Sequence, residues 1–128
     1  MTVDVTPLIP AGRQVIESYG PKGFRVSGVA YTGAIFVFPD KVESWKASAI
    51  AEVTFNSLQP LLDRGVEILL LGCGKSIARL PETLRQELRQ RGIVVDVMDT
   101  GAACRTYNIL LSEERRVAAA LLPVTQAS

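Results

Sequence analysis

The chain contains no histidine. That absence excludes Ser-His and Cys-His catalytic pairs and every imidazole metal ligand. Only two cysteines are present, Cys73 and Cys104. They are too few for a disulfide framework or a metal site and are not spaced Cys-X-X-Cys, so the expectation is free, inert thiols in a reducing compartment, with a redox pair or thiolate nucleophile as the lesser alternative. A surplus of one charge is also lacking: 14 Lys and Arg face 13 Asp and Glu, a net charge of +1. This leaves no electrostatic footprint for nucleic acid. No apolar run approaches the roughly 20 residues that span a bilayer, which argues against an integral membrane protein. Residues 1–10 carry Asp4 and Pro7 and no basic cluster, a pattern expected of neither a signal nor a transit peptide. A cytoplasmic location is the resulting expectation.

What is present is ordinary for a globular protein: 128 residues, 48% hydrophobic and 21% charged. A chain of this length forms one domain and buries about two-thirds of its unfolded surface without disulfide or metal. Residues 1–21 lack periodicity and read as an N-terminal arm, with a short strand near Gln14–Ile16; residues 124–128 read as a frayed tail. Phe24 to Phe38 is rich in aromatic and β-branched residues around Tyr31-Thr32-Gly33, a pattern that predicts a β-hairpin. Val42–Trp45 fits a further short strand. Ser57 is placed to cap a helix that carries Pro60 in its first turn and stops at Gly65.

Val66–Leu71 is a nearly continuous apolar run of the kind found in buried parallel strands. Leu80, Leu84 and Leu88 form one stripe of a helix that opens at Pro81 and closes at Gly92. Ile93–Met98 is the next strand, so residues 66–98 form a βαβ unit with parallel strands. Asp99 or Thr100 caps a third helix ending near Ser112, with Ala103, Tyr107 and Leu110 or Leu111 facing inward. Val117–Leu122 is the closing strand. The predicted fold is a single compact α/β domain with a mixed sheet and roughly three helices.

Gly72-Cys73-Gly74-Lys75-Ser76 looks like a phosphate loop, yet a Walker motif requires glycine at position 69 and a dinucleotide fingerprint requires it at 77. Those positions hold Leu69 and Ile77. The remaining alternatives are a tight turn and a ligand-facing loop. In a βαβ unit the loops after both strands emerge on one edge, so Gly72, Cys73, Gly74 and Lys75 should approach Thr100, where open sheets bind ligands. Arg105 and Asn108, three residues apart on one helix, fall near the same edge. These seven residues form a candidate pocket for a small anion. The competing expectation is structural, with Arg105 and Asn108 pinning the turn to the sheet. Neither a catalytic residue nor a cofactor is implied. Tyr31 and Trp45 are candidate partner contacts, since interfaces favour such aromatics, although a lone tryptophan also suits a core.

The run Ala103-Cys104-Arg105-Thr106-Tyr107-Asn108 occurs with Phe24 to Gly28, Tyr31-Thr32-Gly33, Phe38-Pro39 ahead of Trp45, and Ile68 to Gly74. In that order the pieces resemble the small α/β family of unknown function that contains the mitochondrial respiratory complex I assembly factor 3. The similarity extends over roughly residues 22–123. One departure is Cys73, where members often carry Thr or Ser. The resemblance implies a non-enzymatic assembly factor or protein-interaction adaptor, with respiratory subunits or assembly proteins as partners. The expectation from another class is a small anionic-ligand binder or cryptic enzyme using the crevice between residues 72–76 and 99–108.

Overall fold

The computed structural model describes residues 12–75 and 77–124, together with the backbone of Val3 and Asp4. Residues 125–128 of the expected 124–128 tail, and residues 1, 2 and 5–11 of the expected arm, lie outside the described residues. The strands are β1 (Val3–Asp4), β2 (Ile16–Tyr19), β3 (Gly23–Val26), β4 (Val29–Thr32), β5 (Ile35–Val37), β6 (Val42–Ser44), β7 (Ile68–Gly72), β8 (Val94–Met98) and β9 (Val117–Leu121). The helices are α1 (Glu82–Gln90) and α2 (Thr100–Ser112), with short 3-10 turns at Ile50–Glu52 and Asn56–Leu61.

Two sheets form instead of one. β1 to β4 make an antiparallel sheet in sequence order, and a five-stranded mixed sheet runs β6-β5-β9-β7-β8. The hairpin at the start of the predicted segment is β3–β4, with Val26 opposite Val29. Its turn is Ser27-Gly28, both with positive φ (47° and 83°), the two-residue geometry whose twist suits a hairpin. Gly33, expected at the hairpin turn, instead carries the chain out of this sheet; β5 pairs with β6 and β9. The helix expected at Ser57 is a 3-10 turn that begins earlier. Thr54 and Ser57 close it by exchanging backbone-to-hydroxyl bonds of 2.9 and 3.1 Å. Pro81 stands one residue outside α1, at its cap.

The βαβ unit is present, with β7 and β8 parallel and Ile68 opposite Val94. β9 lies between β7 and β5, parallel to the first and antiparallel to the second. All five of its residues are buried, because both faces of the central sheet are covered. Alternation along the strands divides the core. Phe36, Leu69, Leu71, Ala118 and Ala120 join Trp45, Leu84 and Leu88 on the α1 face. Ile35, Val37, Leu70, Val117, Ala119 and Leu121 join Ala103, Tyr107, Phe24 and Val26 on the face covered by α2 and the antiparallel sheet. This two-sided burial explains why β7 and β9 read as unbroken apolar runs.

Candidate functional site

The loop after β7 and the start of α2 meet as the βαβ topology requires. Asp99 caps α2 by accepting from the Ala102 amide at 2.9 Å, satisfying a donor of the first turn. Thr100, fully buried, binds the neighbouring loop in both directions. Its amide donates to the Gly74 carbonyl at 2.9 Å, while its hydroxyl accepts from the Gly74 amide at 2.8 Å. The same hydroxyl donates to the Leu122 carbonyl. The Cys73 amide donates to Met98 and the Leu122 amide to Gly72, at 2.9 and 3.0 Å.

Glycine at 72 follows from this closeness. A Cβ there would lie 3.0 Å from both the Thr100 Cα and a Leu121 methyl. Gly74 needs its positive φ of 89°, which only glycine adopts without strain. Three chain segments are thus sewn together at the carboxyl end of the sheet. Two of the amides that could cradle an anion at the head of α2, those of Thr100 and Ala102, already have partners. The Tyr19 hydroxyl lies against Gly101, where a Cβ would meet it.

Of the seven candidate pocket residues, Gly72, Cys73, Gly74 and Thr100 come together in this joint. Lys75 and Arg105 are exposed, with Arg105 reaching back toward Gly101. Asn108 points elsewhere, which corrects its assignment to the same flank. It is 2% exposed, accepts from the Ile16 amide at 3.1 Å and donates to the Ile16 carbonyl at 2.8 Å. A side-chain amide therefore pins α2 to β2 of the antiparallel sheet.

The two thiols are free. Cys104 is buried among apolar side chains on the inner face of α2, and burial pushes its thiol well above the usual range. Burial also raises the half-buried Cys73. Neither has the low-pKa environment that makes a nucleophile. Trp45 is 5% exposed and stacks on Phe36 with ring centroids 5.2 Å apart. It is a core residue, which corrects its assignment as an exposed contact. Tyr31 is half-buried on β4. Among the described residues, no group of three or more acidic or thiol side chains converges to hold a metal.

Sequence reasoning did not anticipate Tyr19 or the Leu122 carbonyl as parts of the joint. The glycine at 101, which leaves room for the Tyr19 ring, was the available signal.

Fold and joint together define a small two-sheet α/β domain whose best-built polar cluster fastens its own segments. The chain matches the family described as a protein of unknown function (DUF498/DUF598) over residues 16–122, and it belongs to that family. It is 40% identical over 111 residues to the zebrafish (Danio rerio) NADH dehydrogenase [ubiquinone] 1 alpha subcomplex assembly factor 3, covering 85% of this chain but 64% of that protein. An uncharacterised Rhodobacter capsulatus protein is 40% identical over 119 residues, covering 91% of this chain and 90% of the relative. In structure it is similar to a Bordetella parapertussis protein, with a TM-score of 0.82 at 38% identity, covering 89% of this chain and 99% of the other. No helix among the described residues is long and apolar enough to cross a membrane.

Proposed function

We propose that this protein is a non-enzymatic assembly factor or interaction adaptor whose partners are other proteins, respiratory complex subunits or their assembly proteins among them. The observation that carries this reading is the closed joint: Thr100, Gly74 and Leu122 bond one another where a reactive crevice would need open donors. The assembly-factor name of the zebrafish relative supports it. The two free thiols suit a reducing setting, and we place the protein in the cytoplasm on that basis. Partner contacts then fall outside Trp45, with Tyr31 and the exposed Val29 on edge strand β4 as one candidate patch.

The test is a mild-lysis pull-down of the tagged full chain from its own cells, read by quantitative mass spectrometry. Enrichment of NADH:ubiquinone oxidoreductase subunits or their assembly proteins is the expected result. A clean result against untagged controls would count against the adaptor. A second reading, a small anionic-ligand site at the lip of the joint, is favoured by the exposure of Lys75 and Arg105 beside it. It predicts a metabolite-induced thermal shift that Lys75→Ala or Arg105→Ala abolishes while the fold persists.

A further inference from the structure

A cleft of about 560 Å³ opens at the end of the five-stranded sheet opposite the Thr100 joint. Its rim carries Arg13, Arg64, Arg115 and Arg116, with Asp40 and Glu114. Its floor is apolar, made partly by Phe38, Leu111 and Val117. The chain has ten arginines and four lysines, yet every basic residue of the cleft is arginine, the side chain whose planar fork binds carboxylates in pairs of hydrogen bonds.

The rim is held in place. The Arg64 guanidinium lies 4.2 Å from the centre of the Phe38 ring; its Nε donates to the Pro60 carbonyl at 2.8 Å and its Nη2 to Glu43. Among the described residues that leaves both Nη1 donors and the second Nη2 donor for a ligand. On the facing wall, the Tyr107 hydroxyl donates to the Gln14 carbonyl at 3.2 Å, and the Gln14 amide donates to Pro39 at 2.9 Å, which fixes the backbone beside Arg13.

The third wall is turned by an unusual residue. After α2 the Glu114 amide bonds Leu111 and the Arg115 amide bonds Leu110, the paired pattern in which glycine normally takes the left-handed position. Here that position is Glu114, with φ of 60°. Strain kept at a cleft lip is an observation that points to function.

Arg116 is paired with Glu67 at 3.6 Å and Arg64 with Glu43, whereas Arg13 and Arg115 have no ion pair among the described residues. Asp40 and Glu114 share the walls, so one dense charge such as phosphate meets repulsion. Carboxylates spread along a chain can each meet one guanidinium while apolar side chains enter the floor. We infer that this cleft is the docking site for an acidic, apolar-interspersed segment of a protein partner. The inference rests on the adaptor reading above and names the surface through which it acts.

The test uses the full chain and a fluorescein-labelled peptide of about ten residues alternating Glu and Leu, followed by anisotropy and by backbone-amide NMR shifts. Arg13→Glu/Arg115→Glu is expected to weaken binding about tenfold or more, with rising salt doing the same to the unmodified protein. Arg85→Glu/Arg89→Glu, the same charge change on α1, is expected to weaken it less than about twofold. Shifts should gather at residues 38–40, 64–66 and 114–117, and circular dichroism should show both variants folded. Absence of binding, equal losses in the two variants, tighter binding of inorganic phosphate, or equal binding of a Lys-Leu peptide would overturn the proposal. The same variants in the pull-down separate the two ideas. Partners kept by Arg13→Glu/Arg115→Glu would reject the cleft and leave the adaptor standing. No partner for the unmodified protein would reject the adaptor, with the peptide result still deciding the cleft.

Discussion

Asn108 and Ile16 stand 92 positions apart in sequence and exchange two hydrogen bonds, each using both a donor and an acceptor. The side-chain amide of Asn108 takes the place of a neighbouring strand for one residue of β2. This relationship makes a helix residue responsible for the register of a sheet. The cost of losing it is therefore greater than that of an average side-chain bond.

Asn108→Leu would leave the Ile16 amide and carbonyl buried without their partner, at about 1–3 kcal/mol for each such group. The expected loss is about 2–5 kcal/mol in a urea unfolding titration, with hydrogen exchange at Ile16 rising most. A loss under about 0.5 kcal/mol would show that β2 is held by its ladder to β3 alone.

Thr100→Val removes the hydroxyl that bonds Gly74 and Leu122 while keeping the side-chain shape. The expectation is about 1–3 kcal/mol of destabilisation and faster exchange at the Gly74 amide. Thr100→Ser should restore most of both. Gly72→Ala tests the same joint from the other side, because its Cβ would press on the Thr100 backbone. It should cost more than Gly→Ala at an open turn.

Much of this joint was legible in advance. The apolar runs of β7 and β8 and the stripe Leu80, Leu84, Leu88 gave a βαβ unit, and that topology placed Gly72 beside Thr100. The chemistry of the contact was not legible, because nothing local states that the Thr100 hydroxyl is satisfied by Gly74 and Leu122 rather than open to a ligand. Asn108 shows the same limit: spacing placed it with Arg105, but which flank of α2 is covered depends on the antiparallel sheet. The hairpin turn was misplaced for a local reason. Ser27-Gly28 carried the two-residue signal, whereas Gly33 lies inside the aromatic and β-branched segment from Phe24 to Phe38 and reads as its turn. The insertion of β9 between β5 and β7 has no local signature, since pairing is set by packing between distant segments. The arginine cleft gathers residues from four separate stretches and was invisible for the same reason.

Trp45 separates core from interface. Its indole Nε1 is buried with no hydrogen-bond partner among the described residues, while its ring packs on Phe36. Trp45→Phe removes the orphaned donor and keeps an aromatic ring, so stability should stay within about 1 kcal/mol of the unmodified protein. Trp45→Ala opens a cavity and should cost about 3–5 kcal/mol. An interface role would give the reverse: little change in stability for either, and loss of partner in the pull-down for both.

Glu43 couples the cleft to pH. The hydrogen bond from Lys41 lowers its carboxyl below the ordinary value of 4.5; burial opposes this, and the attraction of Arg64 and Lys41 with the bond from Arg64 adds to the lowering. A carboxyl depressed in the folded state stabilises that state when ionised. Its contribution is present above about pH 4.5 and is lost as pH falls through the lowered folded value. The Lys41 and Glu43 side chains are 46% and 30% exposed, so solvent screening keeps the effect under about 1 kcal/mol. Melting temperatures of the unmodified protein and Glu43→Gln should differ slightly at neutral pH and converge below the carboxylate range. Added salt should shrink the neutral-pH difference. A gap that persists unchanged in acid would assign the effect to packing of the Glu43 stem rather than to its charge. Because Arg64 loses a counter-ion as Glu43 protonates, a labelled peptide bearing a sulfonate, which stays ionised in acid, should bind the cleft no more weakly as Glu43 is neutralised.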